Sequence, residues 1–148
     1  MSDDPIPHED WRTIVANVPL VSVDLVVEHD GGVLLGRRTN EPAKGEWFLP
    51  GGTVHKNERR REAVHRVAEA ELGESVTIQD QLGTVEHFYD TSEFDDVDSK
   101  HYLSTAYHCR PVADEPAFEL DDQHGALRVV EPPYDDLHEY VRTALELA

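Results

Sequence analysis

Two apolar, β-branched runs joined by a tight turn commit this chain to a β-sheet core. Residues 20–28 (LVSVDLVVE) and 33–37 (VLLGR) read as paired strands, and Asp30-Gly31-Gly32 between them is a hairpin turn. Asp and Gly suit it because such turns need positive φ. Segments 76–89 and 100–112 read as longer strands and 126–131 as a short one. Helical spacing is expected at three places. Residues 8–17 carry Trp11, Ile14 and Val15 on one side. Residues 58–72 form a central helix, capped by Asn57 and stopped by Gly73 in the left-handed conformation. Residues 134–147, beyond Pro132-Pro133, carry the stripe Leu137, Tyr140, Val141, Ala144 and Leu145. The expected fold class is α+β. No internal repeat or linker interrupts the 148 residues, so one domain is expected over 1–148, long enough to bury a core.

Charge narrows the partners. Asp and Glu total 31 against 13 Lys and Arg, a formal net charge of −18. Such a surface repels nucleic-acid phosphates, so no nucleic-acid partner is expected. Extreme acidity with little Lys is the composition of a protein working in high salt, where self-repulsion is screened, and predicts a halophilic source. Six arginines fall between positions 37 and 66, the one local positive focus for an anion. Of these, Arg59, Arg60 and Arg61 read as a solvated helix face, and Arg37 as exposed. A single cysteine, Cys109, excludes an internal disulfide. No apolar run reaches membrane-spanning length, and Met1–Asp10 is acidic without a signal-like apolar core, so a cytoplasmic protein with no membrane partner is expected.

The central helix carries the first chemical clue. At about 100° per residue, Ala63, Val64, Val67, Ala68, Ala70 and Leu72 fill a broad apolar face, with Glu71 near its centre. An inward carboxylate is costly unless paired or bound to a metal, and the helix C-terminus disfavours an anion. Glu71 is therefore a candidate metal ligand or a member of a buried ion pair. Glu58 and Glu62 lie opposite, and Glu62 is placed to pair with Arg66. Just before the helix, Pro50-Gly51-Gly52 leaves main-chain groups open to a ligand or metal.

Gly52, Glu58, Arg66, Glu71 and Gly73 stand at the spacing of the Nudix signature: Gly, five residues, Glu, seven residues, then Arg-Glu-apolar-x-Glu-Glu-x-Gly. Val67 and Ala70 stand where that pattern has Glu, and Glu74 where it has an apolar residue. The chain resembles one Nudix branch, the GDP-mannose mannosyl hydrolases, through PLVSVDLVV (19–27), LLGRRTNEPAKGEWFLPGG (34–52), AEAELG (68–73), EHFYD (86–90), KHYLSTAY (100–107) and DDQH (121–124).

The resemblance implies the Nudix fold, a mixed sheet sandwiched between helices (α/β/α). It also implies hydrolysis of GDP-mannose to GDP and mannose, with water attacking the anomeric carbon and inverting it. Carried over, the family's single Mg²⁺ (or Mn²⁺) falls to the Gly51 carbonyl, Glu71 and Gln123, an oxygen-only set suited to such a cation. His124 falls at the general base, whose ordinary pKa suits proton abstraction near neutrality. Arg38 falls at the leaving-group arginine and would stabilise departing diphosphate electrostatically. Arg66 is a diphosphate or Glu-orienting contact, and Asp24, His87 and Tyr102 match substrate-side positions. Thr53 stands where the branch often has Arg. Residues 8–17 resemble a family dimer element, so a homodimer is expected. The competing readings are a conventional Nudix pyrophosphatase acting at phosphorus on another nucleoside diphosphate derivative, and a non-enzymatic nucleotide-sugar sensor. Loss of carboxylates at 67 and 70 argues against the first, and retention of Arg38, Glu71, Gln123 and His124 against the second.

Overall fold

A computed structural model describes residues 6–119 and 127–148. In chain order the elements are α1 (His8–Asn17), β1 (Leu20–His29), β2 (Gly32–Arg37), β3 (Trp47–Phe48), β4 (Gly51–Thr53), α2 (Arg60–Val67), β5 (Val76–Tyr89), β6 (Lys100–Pro111), β7 (Leu127–Val130) and α3 (Glu139–Leu147). A π-helical turn, Ala68–Leu72, continues α2. The sheet runs β3-β2-β1-β6-β5, with β4 also on β1 and β7 on β2. Among the described residues β1 and β6 form the one parallel pair and the other pairs are antiparallel, so the sheet is mixed.

The alternation along β1 builds two cores. Val23, Leu25 and Val27 pack with Ala63, Val64, Val67, Ala68 and Leu72 of the α2 segment. Val26 faces the other way, with Val33 and Leu35 of β2, against Val141 and Ala144 of α3. Helices therefore cover both faces, in the α/β/α arrangement. Side chains such as Val64 and Val67, fully withdrawn from water, each contribute about 1.5–3 kcal/mol. A third cluster seats α1: Val15 packs with Leu20, Phe94 and Val97, flanked by Trp11 and Ile14. The acidic segment before β6 is thus anchored by Phe94 and Val97, and Lys100 pairs with Glu93 at 2.8 Å.

The hairpin turn has the expected form, with Asp30 at φ 49° and Gly31 at φ 80°. Gly73 is left-handed at φ 68°. Three local expectations are corrected. Asn57 does not cap α2: it sits at φ 70° in a turn closed by Glu58 N–H to the His55 carbonyl, and the helix starts at Arg60. Glu62 accepts the Arg59 N–H at 2.8 Å, serving the exposed end. Ala70 is exposed, because the π turn is wider than an α turn and rotates it off the apolar face. The last helix begins at Glu139 rather than 134: a separate turn joins Leu137 N–H to the Tyr134 carbonyl, and His138 Nδ1 caps the helix through Tyr140 N–H.

Candidate active site

β1 changes partner along its length. Its first half pairs with β4, Asp24 opposite Gly51, and its end pairs with β2, Glu28 opposite Val33. Where those partners diverge lies a cavity of about 320 Å³, lined from β1 by Ser22 and Asp24, from β2 and its following loop by Gly36 to Asn40, from Phe48 to Thr53, and by Glu71, His87, Tyr89 and Tyr102. The layout follows from strand parity, since Ser22 and Asp24 share the face of Val26.

Gly51 is a glycine because Asp24 leaves no room for a side chain. A Cβ there would lie 2.5 Å from Asp24 Oδ1 and 2.6 Å from the Val23 carbonyl. Gly52 meets the helix instead, its Cβ position 3.0 Å from Val67 Cγ2. The two glycines thus press strand, turn and helix together, which brings Glu71 to the cavity. Asp24 accepts a 2.6 Å hydrogen bond from Ser104 Oγ. Burial pushes its pKa up to about 6, against the opposing pull of Ser104 and Arg38. Glu71 stands at the cavity edge, exposed to solvent on one side. Desolvation on the other side pushes it up to about 7; a bond from the Gly51 main chain and the Arg38 charge oppose the rise, and Asp24 adds to it. Sequence periodicity placed Glu71 amid the apolar face; the π turn instead puts it on the cavity rim.

Two carboxylates sharing a cavity, each held against ionisation, fit a divalent cation, whose charge would relieve both. Among the described residues no three His, Cys, Asp or Glu side chains converge. The candidate donors here are Glu71, the Gly51 main chain and Asp24. The signature's Glu58 and the neighbouring Glu69 are engaged elsewhere. Glu58 takes Arg66 Nε at 2.8 Å and Arg66 Nη2 at 3.0 Å, and Glu69 accepts from Ser75 Oγ. Arg66 also donates to the Thr53 carbonyl at 2.8 Å. It is not among the cavity-lining residues; it holds Glu58 and the β4 edge, the Glu-orienting alternative of the two expected for it.

Arg38 lines the cavity, its Nε donating to the Pro42 carbonyl at 2.6 Å and its guanidinium 5.6 Å from the Phe48 ring centre. Its remaining N–H groups can meet an anion. The far wall is aromatic. His87 is 6% exposed, and its Nε2 is buried without a hydrogen-bond partner among the described residues. Its ring stacks on Tyr140 at 4.0 Å. Burial, then the nearby His138, push its pKa down to about 4, so it is neutral at neutral pH. Tyr102 sits opposite His87 across β5 and β6, and its ring meets Tyr89 edge-on at 6.0 Å.

The structure therefore brings together Asp24, Arg38, Gly51, Glu71, His87 and Tyr102. Gln123 and His124 lie outside the described residues. Sequence reasoning missed Tyr89, Phe48, Ser104 and the cavity position of Arg37. For Arg37 a signal existed: it shares strand parity with Val33 and Leu35, which face α3.

Residues 18–145 match the NUDIX domain family. The chain is 60% identical over 141 residues to the low-salt glycan biosynthesis protein Agl8 of Haloferax volcanii, covering 95% of this chain and 89% of that one. It is 42% identical over 65 residues to an ADP-ribose pyrophosphatase of Methanocaldococcus jannaschii, covering 44% of this chain and 38% of that one. Among solved structures, a MutT NUDIX hydrolase of Burkholderia pseudomallei is similar at TM-score 0.63 and 30% identity, over 88% of this chain and 98% of that one.

Proposed function

The chain belongs to the NUDIX hydrolase family, and from that premise we propose that it hydrolyses a nucleotide-sugar, GDP-mannose foremost, at the sugar's anomeric carbon with inversion, using Mg²⁺ or Mn²⁺. One observation carries the reading. The cavity has a single helix carboxylate, Glu71, at its charged end, and a neutral, hydrogen-bond-starved imidazole, His87, among aromatic rings at the other. Val67, where the signature would have Glu, is buried against Gly52 and cannot reach a ligand. A cation bound at Glu71 would neutralise diphosphate as a leaving group.

The chain's own residues divide the remaining work. Arg38 faces the leaving diphosphate, where charge grows as the bond to carbon breaks. His87 and Tyr102 offer neutral hydrogen-bonding groups to sugar hydroxyls, and Tyr89 and Phe48 exclude water. His124 would take the proton from the attacking water, and Gln123 would complete the set holding the cation with Glu71 and the Gly51 carbonyl. The relation to a glycan biosynthesis protein of Haloferax volcanii fits a sugar substrate and, with the net charge of −18, a halophilic setting. We place the protein in the cytoplasm, as a homodimer seated through α1. None of its described helices is long and apolar enough to cross a membrane.

A second reading, a pyrophosphatase acting at phosphorus, draws on the partial match to an ADP-ribose pyrophosphatase. A panel of nucleotide-sugars with Mg²⁺ separates the two by product. GDP with free mannose supports the proposal; GMP with mannose 1-phosphate sinks it.

A further inference from the structure

Besides Arg38, one cationic side chain among the described residues lines the cavity: Arg37, at the end of β2. It lies opposite Trp47 in the strand register, and its parity with Val33 and Leu35 sets it on the sheet face that holds Asp24. It is exposed. Its guanidinium has no hydrogen-bond, ion-pair or aromatic partner among the described residues, although the chain carries 31 acidic side chains. Arg38, by contrast, already spends Nε on the Pro42 carbonyl.

Charge at the site makes this unpartnered cation consequential. It is the second guanidinium, with Arg38, on the lining that would receive a diphosphate. A guanidinium also offers a planar pair of donors that matches phosphate oxygens bidentately. We propose that Arg37 is a ground-state anchor for the substrate's diphosphate, distinct from Arg38, which acts on the charge that develops as the leaving group departs. This rests on the nucleotide-sugar reading. Thr53, on β4 across the same cavity, is a neutral position at which a second anchor could be built.

The test is calorimetric titration of the full chain, with Mg²⁺ in molar KCl, using GDP and inorganic pyrophosphate as probes. Arg37→Gln should weaken both by roughly tenfold, the factor expected from losing a charged hydrogen-bonding pair. In turnover the loss should fall on KM rather than kcat, as for an interaction equal in ground and transition states. Adding Thr53→Arg to Arg37→Gln should recover most of the lost affinity. Unchanged GDP affinity in Arg37→Gln overturns the inference, as does a loss for GDP without one for pyrophosphate, a loss confined to kcat, or a double variant no tighter than the single. A wild-type protein that binds neither probe overturns the nucleotide-sugar reading itself; binding that is indifferent to Arg37 overturns only the anchor.

Discussion

Replacing Gly51 by Ala tests whether the turn and Asp24 are fitted to one another. The added Cβ would stand 2.5 Å from Asp24 Oδ1 and 2.6 Å from the Val23 carbonyl. Neither oxygen can yield freely. The carbonyl belongs to β1, which is paired on both sides at this point. The carboxylate is bonded to Ser104 at 2.6 Å. Overpacking of this kind costs about 1–3 kcal/mol. Displacing the bond to Asp24 adds up to about 1.5–3 kcal/mol. A total of about 3 kcal/mol, at roughly 2–4 °C per kcal/mol for a chain of this size, lowers Tm by about 6–12 °C. Gly52→Ala is the matched control: its Cβ meets only a Val67 methyl at 3.0 Å, which a small side-chain shift relieves at less than about 1.5 kcal/mol. Thermal unfolding by circular dichroism at fixed high salt reads both. Below its Tm, Gly51→Ala should also lose divalent-cation affinity, because Asp24, Gly51 and Glu71 move together. Equal Tm values for the two variants, with cation affinity intact, would refute the claim that Gly51 is dictated by Asp24.

Glu71→Gln keeps volume but removes the charge at the cation end, so divalent binding and activity should collapse while Tm holds; titration with Mn²⁺ checks this. Arg38→Gln should lower kcat by roughly 10²–10³, the cost of removing one preorganised donor to developing charge, with a smaller change in KM. Steady-state kinetics decides, and a pure KM effect would make Arg38 a ground-state contact. For pH, the folded His87 pKa of about 4 lies below its unfolded value near 6.5, so the unfolded chain takes the proton first on acidification. Relative to His87→Gln, wild type should keep its full stability above about pH 6.5 and lose at most about 3 kcal/mol between there and about pH 4. Denaturant unfolding at several pH values shows it, and a constant difference across that window would refute the burial of a neutral ring.

Much of this architecture is legible in the sequence because period and punctuation agree. The β-branched apolar run at 20–28, the Asp30-Gly31 turn and the left-handed Gly73 each follow from one local rule. The errors fall where one residue type serves two geometries. Asn suits a helix cap and also a left-handed turn, and at position 57 the turn wins. A uniform helical period cannot anticipate the π turn at Ala68–Leu72, which moves Ala70 into solvent and Glu71 onto the cavity rim. Glu71, Gly51 and Arg38 could be named because they sit in stretches resembling a known family at positions whose residue type suggests a role. Phe48 and Tyr89 lie in such stretches too, but an aromatic residue's type does not mark it for the cavity until the strand pairings are known, and Ser104 emerges only through its bond to Asp24. Arg37 was within reach of strand parity, since it alternates with Val33 and Leu35 along β2.

We propose that water attacks carbon, not phosphorus: the helix brings one carboxylate to the cavity, and Arg38 on the same lining would face the departing diphosphate. Hydrolysis of GDP-mannose in ¹⁸O-water reads this directly by mass spectrometry of both products. Attack at carbon puts label in free mannose and none in GDP, with the β anomer first by NMR. Label in a nucleotide or sugar phosphate would contradict it.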